Sequence, residues 1–220
     1  MSETPQLPGA SEVGDDPWRA DERLPEYFGA AWDALSAFHA MLASEGVLRG
    51  LVGPREVPRL WERHLLNSAA VVPFLPEQGD IIDVGSGAGL PGVVVAAMRP
   101  DQSVVLLEPM ERRVDWLREV ASHLELGNVE VVRGRAPEIG LKADVVTARA
   151  VAALEKLYRW TVPLLRPGGT LVALKGSRAS DEVETSKRVA AQLGLSGVKV
   201  MMATTLDGAE ATTIVRATWR

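Results

Sequence analysis

Three glycines, Gly85, Gly87 and Gly89, follow directly on the apolar run Ile81-Ile82-Asp83-Val84, and they constrain this chain most. A buried strand, a turn too tight for side chains and a helix start make the first half of a β-α unit. Pro91 falls in the first helical turn, where a missing N–H is tolerated. Asp80–Val84, Ser103–Leu107, Val129–Arg133, Asp144–Thr147 and Thr170–Leu174 read as strands. Leu90–Met98, Met110–Leu124, Leu154–Leu165 and Asp181–Leu193 read as helices between and after them. This alternation predicts an α/β fold, a mostly parallel sheet with helices on both faces. Lys199–Ala203 and Thr213–Trp219 follow with no long helix between them, which predicts seven strands with an antiparallel last one.

Two apolar periodic segments precede this core. Tyr27, Phe28, Ala31, Trp32, Leu35, Phe38, Met41 and Leu42 recur at helical spacing from Pro25 to about Ser44. A second helix is expected from about Pro58 to Val72. The expected organisation is a disordered acidic tail over 1–20 and a single domain over 21–220. Within that domain, 21–78 hold N-terminal helices and 79–220 the core. Net charge is −5, but residues 1 to 30 alone carry seven acids against two arginines. The remainder is balanced, so a basic surface can only be local, and the overall charge does not argue against a nucleic-acid partner.

The chain has no cysteine, which excludes disulfides, thiolate metal sites and cysteine nucleophiles. No secretory leader pattern opens it, and no window reaches the roughly 18 apolar residues of a membrane helix. A soluble, cytoplasmic protein without a metal is the expectation.

The loop's spacing narrows its ligand. A dinucleotide turn wants Gly-x-Gly-x-x-Gly, open to a pyrophosphate at the helix N-terminus. Here the third glycine, Gly89, comes one position early, and Leu90 stands where the dinucleotide turn has glycine. Asp83 adds a carboxylate that repels diphosphate and suits the ammonium of a methionine moiety. Glu108 ends the second strand, where a carboxylate accepts hydrogen bonds from both ribose hydroxyls of an adenosyl group. The alternative is a solvated strand end. Gly85, Ser86, Gly87, Gly89 and Leu90 are therefore expected to cradle an adenosyl ligand without pyrophosphate. Ala136, after the third strand, is placed to frame the adenine. Arg149 ends the fourth strand after an apolar run. Its guanidinium either enters the cleft or pairs with an acid such as Glu108 or Asp144.

Several ordered motifs match one family. Trp61-Glu62-Arg63-His64-Leu65-Leu66-Asn67-Ser68, then Asp83 through Gly92, Thr147-Ala148-Arg149-Ala150-Val151 and Leu174-Lys175-Gly176 together resemble the ribosomal RNA small-subunit methyltransferase G family, also called glucose-inhibited division protein B. The resemblance runs from about residue 30 to the end. It implies a class I methyltransferase fold, Rossmann-like, using S-adenosyl-L-methionine. It also implies methyl transfer to N7 of one guanine in 16S ribosomal RNA, on naked RNA or the small ribosomal subunit; a monomer is expected. Cofactor contacts are implied at Gly85, Leu90, Ala136, Pro137 and Arg149. Where the family commonly has Ala-Glu, this chain has Ala136-Pro137, which removes an N–H donor.

Guanine N7 bears a lone pair and no proton, so attack on a methyl needs no general base, and positioning dominates. Arg149 and Lys175, at the ends of the fourth and fifth strands, are the expected substrate-placing cations. Such side chains suit guanine O6 or a phosphate. His64 is either a structural hydrogen-bonder or a substrate-side group. Arg55, Arg59 and Arg63 form a basic stripe if that segment is helical. Arg112 and Arg113 read as surface. The competing readings are a small-molecule methyltransferase, a non-catalytic cofactor-binding RNA module and a nucleotide-dependent oxidoreductase, which Leu90 disfavours.

Overall fold

The computed structural model describes residues 16–220. Most of the expected tail lies outside them, but its last residues do not. Asp16 caps a 3-10 turn, Pro17–Ala20, and its carboxylate accepts the N–H of Trp18 (3.1 Å) and of Trp61 (2.8 Å).

The helices are α1 (Arg23–Phe28), α2 (Trp32–Glu45), α3 (Asn67–Ala69), α4 (Gly92–Met98), α5 (Glu111–His123), α6 (Leu154–Thr161) and α7 (Ala179–Gln192). The strands are β1 (Ile81–Val84), β2 (Val104–Glu108), β3 (Val129–Arg133), β4 (Ala143–Arg149), β5 (Leu165–Lys175), β6 (Leu195–Ala203) and β7 (Thr212–Trp219). Among the described residues all seven strands form one sheet, in the order β3-β2-β1-β4-β5-β7-β6. Pairing is parallel from β3 through β5. β7 runs antiparallel to both of its neighbours.

Side chains alternate across a strand, so each strand feeds two cores. Ile81, Val104, Leu106 and Val145 point to one face and pack with α1, α2, α4 and α5. Ile82, Val84, Val146 and Ala148 point to the other and pack under α6 and α7. The N-terminal helices thus share a hydrophobic core with the sheet. The order reverses between β1 and β4, and the loops leaving these two strands diverge there. That is where open α/β sheets bind ligands.

One expectation is corrected. The segment Pro58–Val72 is not a continuous α-helix. A 3-10 turn (Pro54–Arg59) passes into a π-helical turn (Trp61–Leu66), then into α3 and a second 3-10 turn (Val72–Phe74). Pro58 has no N–H to give to an α-helical bond, and π turns interrupt helices where side chains must be re-aimed. The spacing of Arg55, Arg59 and Arg63 therefore makes no straight stripe. Arg59 and Arg63 instead flank Glu210, at 3.9 and 4.0 Å. The helix expected to reach Leu165 also stops early, at Thr161, two residues before Pro163.

Gly89 holds φ at +106°, and a Cβ there would lie 2.7 Å from Val93 Cγ2 and 3.1 Å from Phe38 Cζ. Its replacement by alanine should destabilise the fold by about 2–4 kcal/mol, through backbone strain and overpacking together. Gly127→Ala, which meets nothing within 4 Å, should change stability by no more than about 0.5 kcal/mol. Urea unfolding of both variants checks the pair.

Candidate functional site

A cavity of about 560 Å³ opens at the carboxyl ends of β1 to β4. The turn after β1 forms its floor. Gly85 and Gly87 both take left-handed backbone (φ +71° and +54°), and the N–H groups of Gly85 and Ser86 turn back onto the Leu107 carbonyl (2.8 and 3.3 Å). Ser86 Oγ donates to the Asp83 carbonyl at 3.0 Å. Trp116 Nε1 holds the Ala88 carbonyl at 2.9 Å, fixing the turn against α5.

Glu108 is 2% exposed and faces this turn. Its Oε2 accepts the Gly87 N–H (2.9 Å) and its Oε1 the Met110 N–H (3.0 Å). Each oxygen keeps a second lone pair. Of the expected cofactor residues, Gly85, Ser86, Gly87, Leu90, Glu108, Ala136, Pro137 and Arg149 all line the cavity.

Asp83 and Gly89 do not. Asp83 is fully buried beneath α4, where its Oδ2 accepts the Gly92 N–H at 3.0 Å. It ties the strand to the helix. Gly89 packs against Phe38 and Val93. Both belong to the expected cofactor motif, and the contacts they make are within the turn and its supports.

Arg149 crosses from β4 to the π turn and the residue that follows it. Its guanidinium donates to the Arg63 carbonyl (2.9 Å), Asn67 Oδ1 (3.1 Å) and His64 Nδ1 (2.7 Å). Neither Glu108 nor Asp144 is its partner; Asp144 binds Arg166 and the Asp80 N–H. Burial lowers the Arg149 pKa to about 10, which leaves it cationic at neutral pH. His64 is shared on its other side with Glu56, 3.0 Å from Nε2. Burial first, and then the Arg149 charge, lower the His64 pKa to about 4. The ring is neutral, with its proton on Nε2.

A second cavity, about 710 Å³, adjoins the first and shares His64, Arg149 and Ala150 with it. Lys175 borders this second cavity and not the first. Its Nζ lies 2.9 Å from both Glu182 Oε2 and the Ala152 carbonyl. Sequence reasoning missed Glu56, Arg113 and the Leu51-Val52 wall. Arg113, expected at the surface, lines the first cavity, and its buried Nε has no hydrogen-bond partner. Its place five residues beyond Glu108, in the first turn of α5, is the signal that marks it.

The comparisons with known proteins agree with this geometry. A family model described as rRNA small subunit methyltransferase G matches residues 32–210. The chain is 52% identical over 198 residues to the ribosomal RNA small subunit methyltransferase G of Thermobifida fusca, covering 86% of this chain and 84% of that protein. Among solved structures it resembles a SAM dependent methyltransferase from Aquifex aeolicus (TM-score 0.56, 17% identity, 80% of this chain and 97% of that one). It also resembles M. jannaschii TYW2 in complex with AdoMet (TM-score 0.54, 18% identity, 69% and 72%). These likenesses show the Rossmann-like methyltransferase fold.

The two buried titrating groups pull stability in opposite directions. Burial raises the Asp83 pKa from 3.8 to about 7. The folded chain then holds a proton the unfolded chain releases, so this contribution is present at low pH and lost as pH rises through about 7. For His64 the contribution is present above the unfolded value of 6.5 and lost as pH falls toward about 4. Asp83→Asn keeps an acceptor for Gly92 and removes the first effect. Relative to the parent protein it should gain stability as pH rises from about 5 to about 8, measured by denaturant unfolding at each pH. A parallel pH dependence in both proteins would show that Asp83 is not the group responsible.

Proposed function

The chain belongs to the rRNA small subunit methyltransferase G family, and on that premise we propose that it transfers the methyl group of S-adenosyl-L-methionine to N7 of a guanine in 16S ribosomal RNA. One observation carries the reading. Two cavities meet at a single wall made by Arg149, His64 and Ala150. The first is built for an adenosyl ligand, and the second lies where an acceptor base reaches the donor.

The residues present fit such a cofactor. A Cβ at Gly85 would press on Val151 at 3.1 Å, whereas one at Gly87 would meet only the Gly85 carbonyl and Arg113 Nη1, at 3.7 and 3.9 Å. Glu108 offers its remaining lone pairs to ribose hydroxyls, and Ala136 and Pro137 border the adenine side. Leu90, at the position where a dinucleotide turn has glycine, lines the cavity from the edge of the hydrophobic core. When bound, S-adenosyl-L-methionine supplies an electrophilic methyl on a sulfonium sulfur.

The chain's own task is then placement. Guanine N7 loses no proton on attack, and His64 has no free lone pair for one, because Arg149 donates to its Nδ1. Catalysis is therefore orientation and exclusion of water. Arg149 is assigned to hold the acceptor against the donor through guanine O6 or a phosphate oxygen. Lys175 is assigned to the acceptor cavity, and His64 to the wall between. A monomer acting in the cytoplasm on RNA or on the small subunit completes the proposal. Among the described residues no helix is long and apolar enough to cross a membrane. No group of three or more His, Asp or Glu among them is placed to hold a metal ion.

The test is transfer of labelled methyl to small-subunit RNA, and to subunit particles from cells lacking the enzyme, followed by aniline cleavage. Incorporation with cleavage at one position is expected. Incorporation without cleavage would sink the N7 assignment, and no incorporation into either substrate would sink the RNA assignment. Glu108→Ala should weaken cofactor binding by about 10-fold or more, since charged hydrogen bonds are lost from a buried site. Lys175→Ala should keep cofactor affinity within about twofold and still reduce transfer. Equal losses of both would show that its assigned role is wrong.

A further inference from the structure

We propose that Glu56 is a positioning residue for methyl transfer: its carboxylate pins the His64 ring, and through that ring the Arg149 guanidinium, at the wall between the two cavities. This rests on the role assigned to Arg149 above.

Donor and acceptor chemistry leaves the line one arrangement. Arginine can only donate, so His64 Nδ1, 2.7 Å from the guanidinium, must accept. The imidazole proton is then on Nε2, and Nε2–H donates to Glu56 Oε2 at 3.0 Å. In a ring held this way, the bond at one nitrogen fixes the role of the other. Arg149's remaining partners are also neutral, the Arg63 carbonyl and Asn67 Oδ1. Asn67 is itself anchored, donating to Thr212 Oγ1 at 2.9 Å. The cation thus keeps its field for a ligand, but a lone pair on a rotatable ring is a poor anchor unless the far edge is held too. Glu56 holds that edge.

Local backbone geometry brings the two residues together. In a continuous α-helix, residues eight apart stand about 12 Å apart along the axis and do not touch. Here the chain passes from a 3-10 turn carrying Glu56 to a π turn carrying His64, and the two side chains meet at 3.0 Å. The side chains are 35% and 12% exposed, so the contact lies at the cavity's margin and is shielded from bulk water on the histidine side. Glu56 lines only the second cavity, outside the cofactor's. Its loss should therefore affect transfer more than cofactor binding.

The experiment compares Glu56→Ala, Glu56→Gln and Arg149→Gln in the full chain. It measures kcat on small-subunit particles, the Kd for S-adenosyl-L-methionine, and the downfield imidazole N–H proton resonance of His64. That resonance is assigned among the three histidines by its absence in His64→Gln. Glu56→Ala should lose the resonance and lower kcat about 10-fold, with Kd changed less than about twofold. Glu56→Gln, which can still accept from Nε2–H, should retain the resonance and recover most of kcat. The idea is overturned if Glu56→Ala turns over at the parent rate. It is also overturned if the resonance survives in that variant, or if Glu56→Gln is folded and as impaired as Glu56→Ala. Should Glu56→Ala fail to fold, Glu56→Gln decides alone, and loss of its resonance or of its activity refutes the proposal. Arg149→Gln separates the two failures. Unimpaired transfer there refutes the reading of the whole site, whereas a crippled Arg149→Gln beside an active Glu56→Ala refutes the Glu56 role only.

Discussion

A single buried carboxylate joins the sheet to the helix on which the site is built. Asp83 leaves β1 beneath the first turn of α4 and takes the Gly92 N–H. The approach is so close that a Cβ at Gly92 would lie 2.9 Å from Asp83 Cβ. Because strand and helix are drawn together here, the connecting residues must bulge outward. That bulge is the left-handed turn at Gly85 and Gly87 which floors the cavity. Glu108, from the neighbouring strand, then clips the bulge in place through the Gly87 N–H. The cost is a carboxyl group with one oxygen, Oδ1, that has no partner and no water access. An unpaired buried oxygen of this kind favours the protonated acid, which agrees with the raised Asp83 pKa.

The opposite side of the site follows another logic. Arg149 is half-buried between the two cavities, and it is met by a carbonyl, an amide oxygen and a neutral imidazole. A carboxylate in contact would stabilise the guanidinium better and would also cancel most of its charge. Neutral acceptors satisfy its hydrogens and leave its potential available in the cavity. The same need explains the irregular segment from Pro54 to Ala69, which presents Glu56, the Arg63 carbonyl, His64 and Asn67 to one another or to Arg149 from a stretch of little more than a dozen residues.

Much of this is legible in the sequence, and the limits are physical. Alternating apolar runs and helical periods, punctuated by glycine and proline, give the strand and helix order because each signal is local. The spacing Gly85, Gly87, Gly89, Leu90 is informative because backbone turns depend on the residues within them. Side-chain pairing is not local. Nothing in the spacing says that Lys175 meets Glu182, that Arg149 avoids Glu108, or that Asp83 turns inward. Pro58 reads as the start of a helix, and its outcome inside a 3-10 turn followed by a π turn depends on what the segment must reach across space. Motif membership identifies residues that a site requires. It does not separate those that line the cavity, such as Glu108, from those packed beneath it, such as Gly89.

The antiparallel β7 lies between β5 and β6, although β6 precedes it in the chain. In the sheet β6 is bonded to β7 and to no other strand. β6 and β7 are antiparallel and only eight residues apart in the chain, so they pair locally as a hairpin. The long-range contact is the one β7 makes with β5, and through it the hairpin extends the sheet. Met202, Thr212 and Thr213 of that hairpin line the second cavity, whereas every described residue lining the first lies at or before Trp160. A change in the hairpin therefore alters the lining of one cavity and leaves the lining of the other untouched.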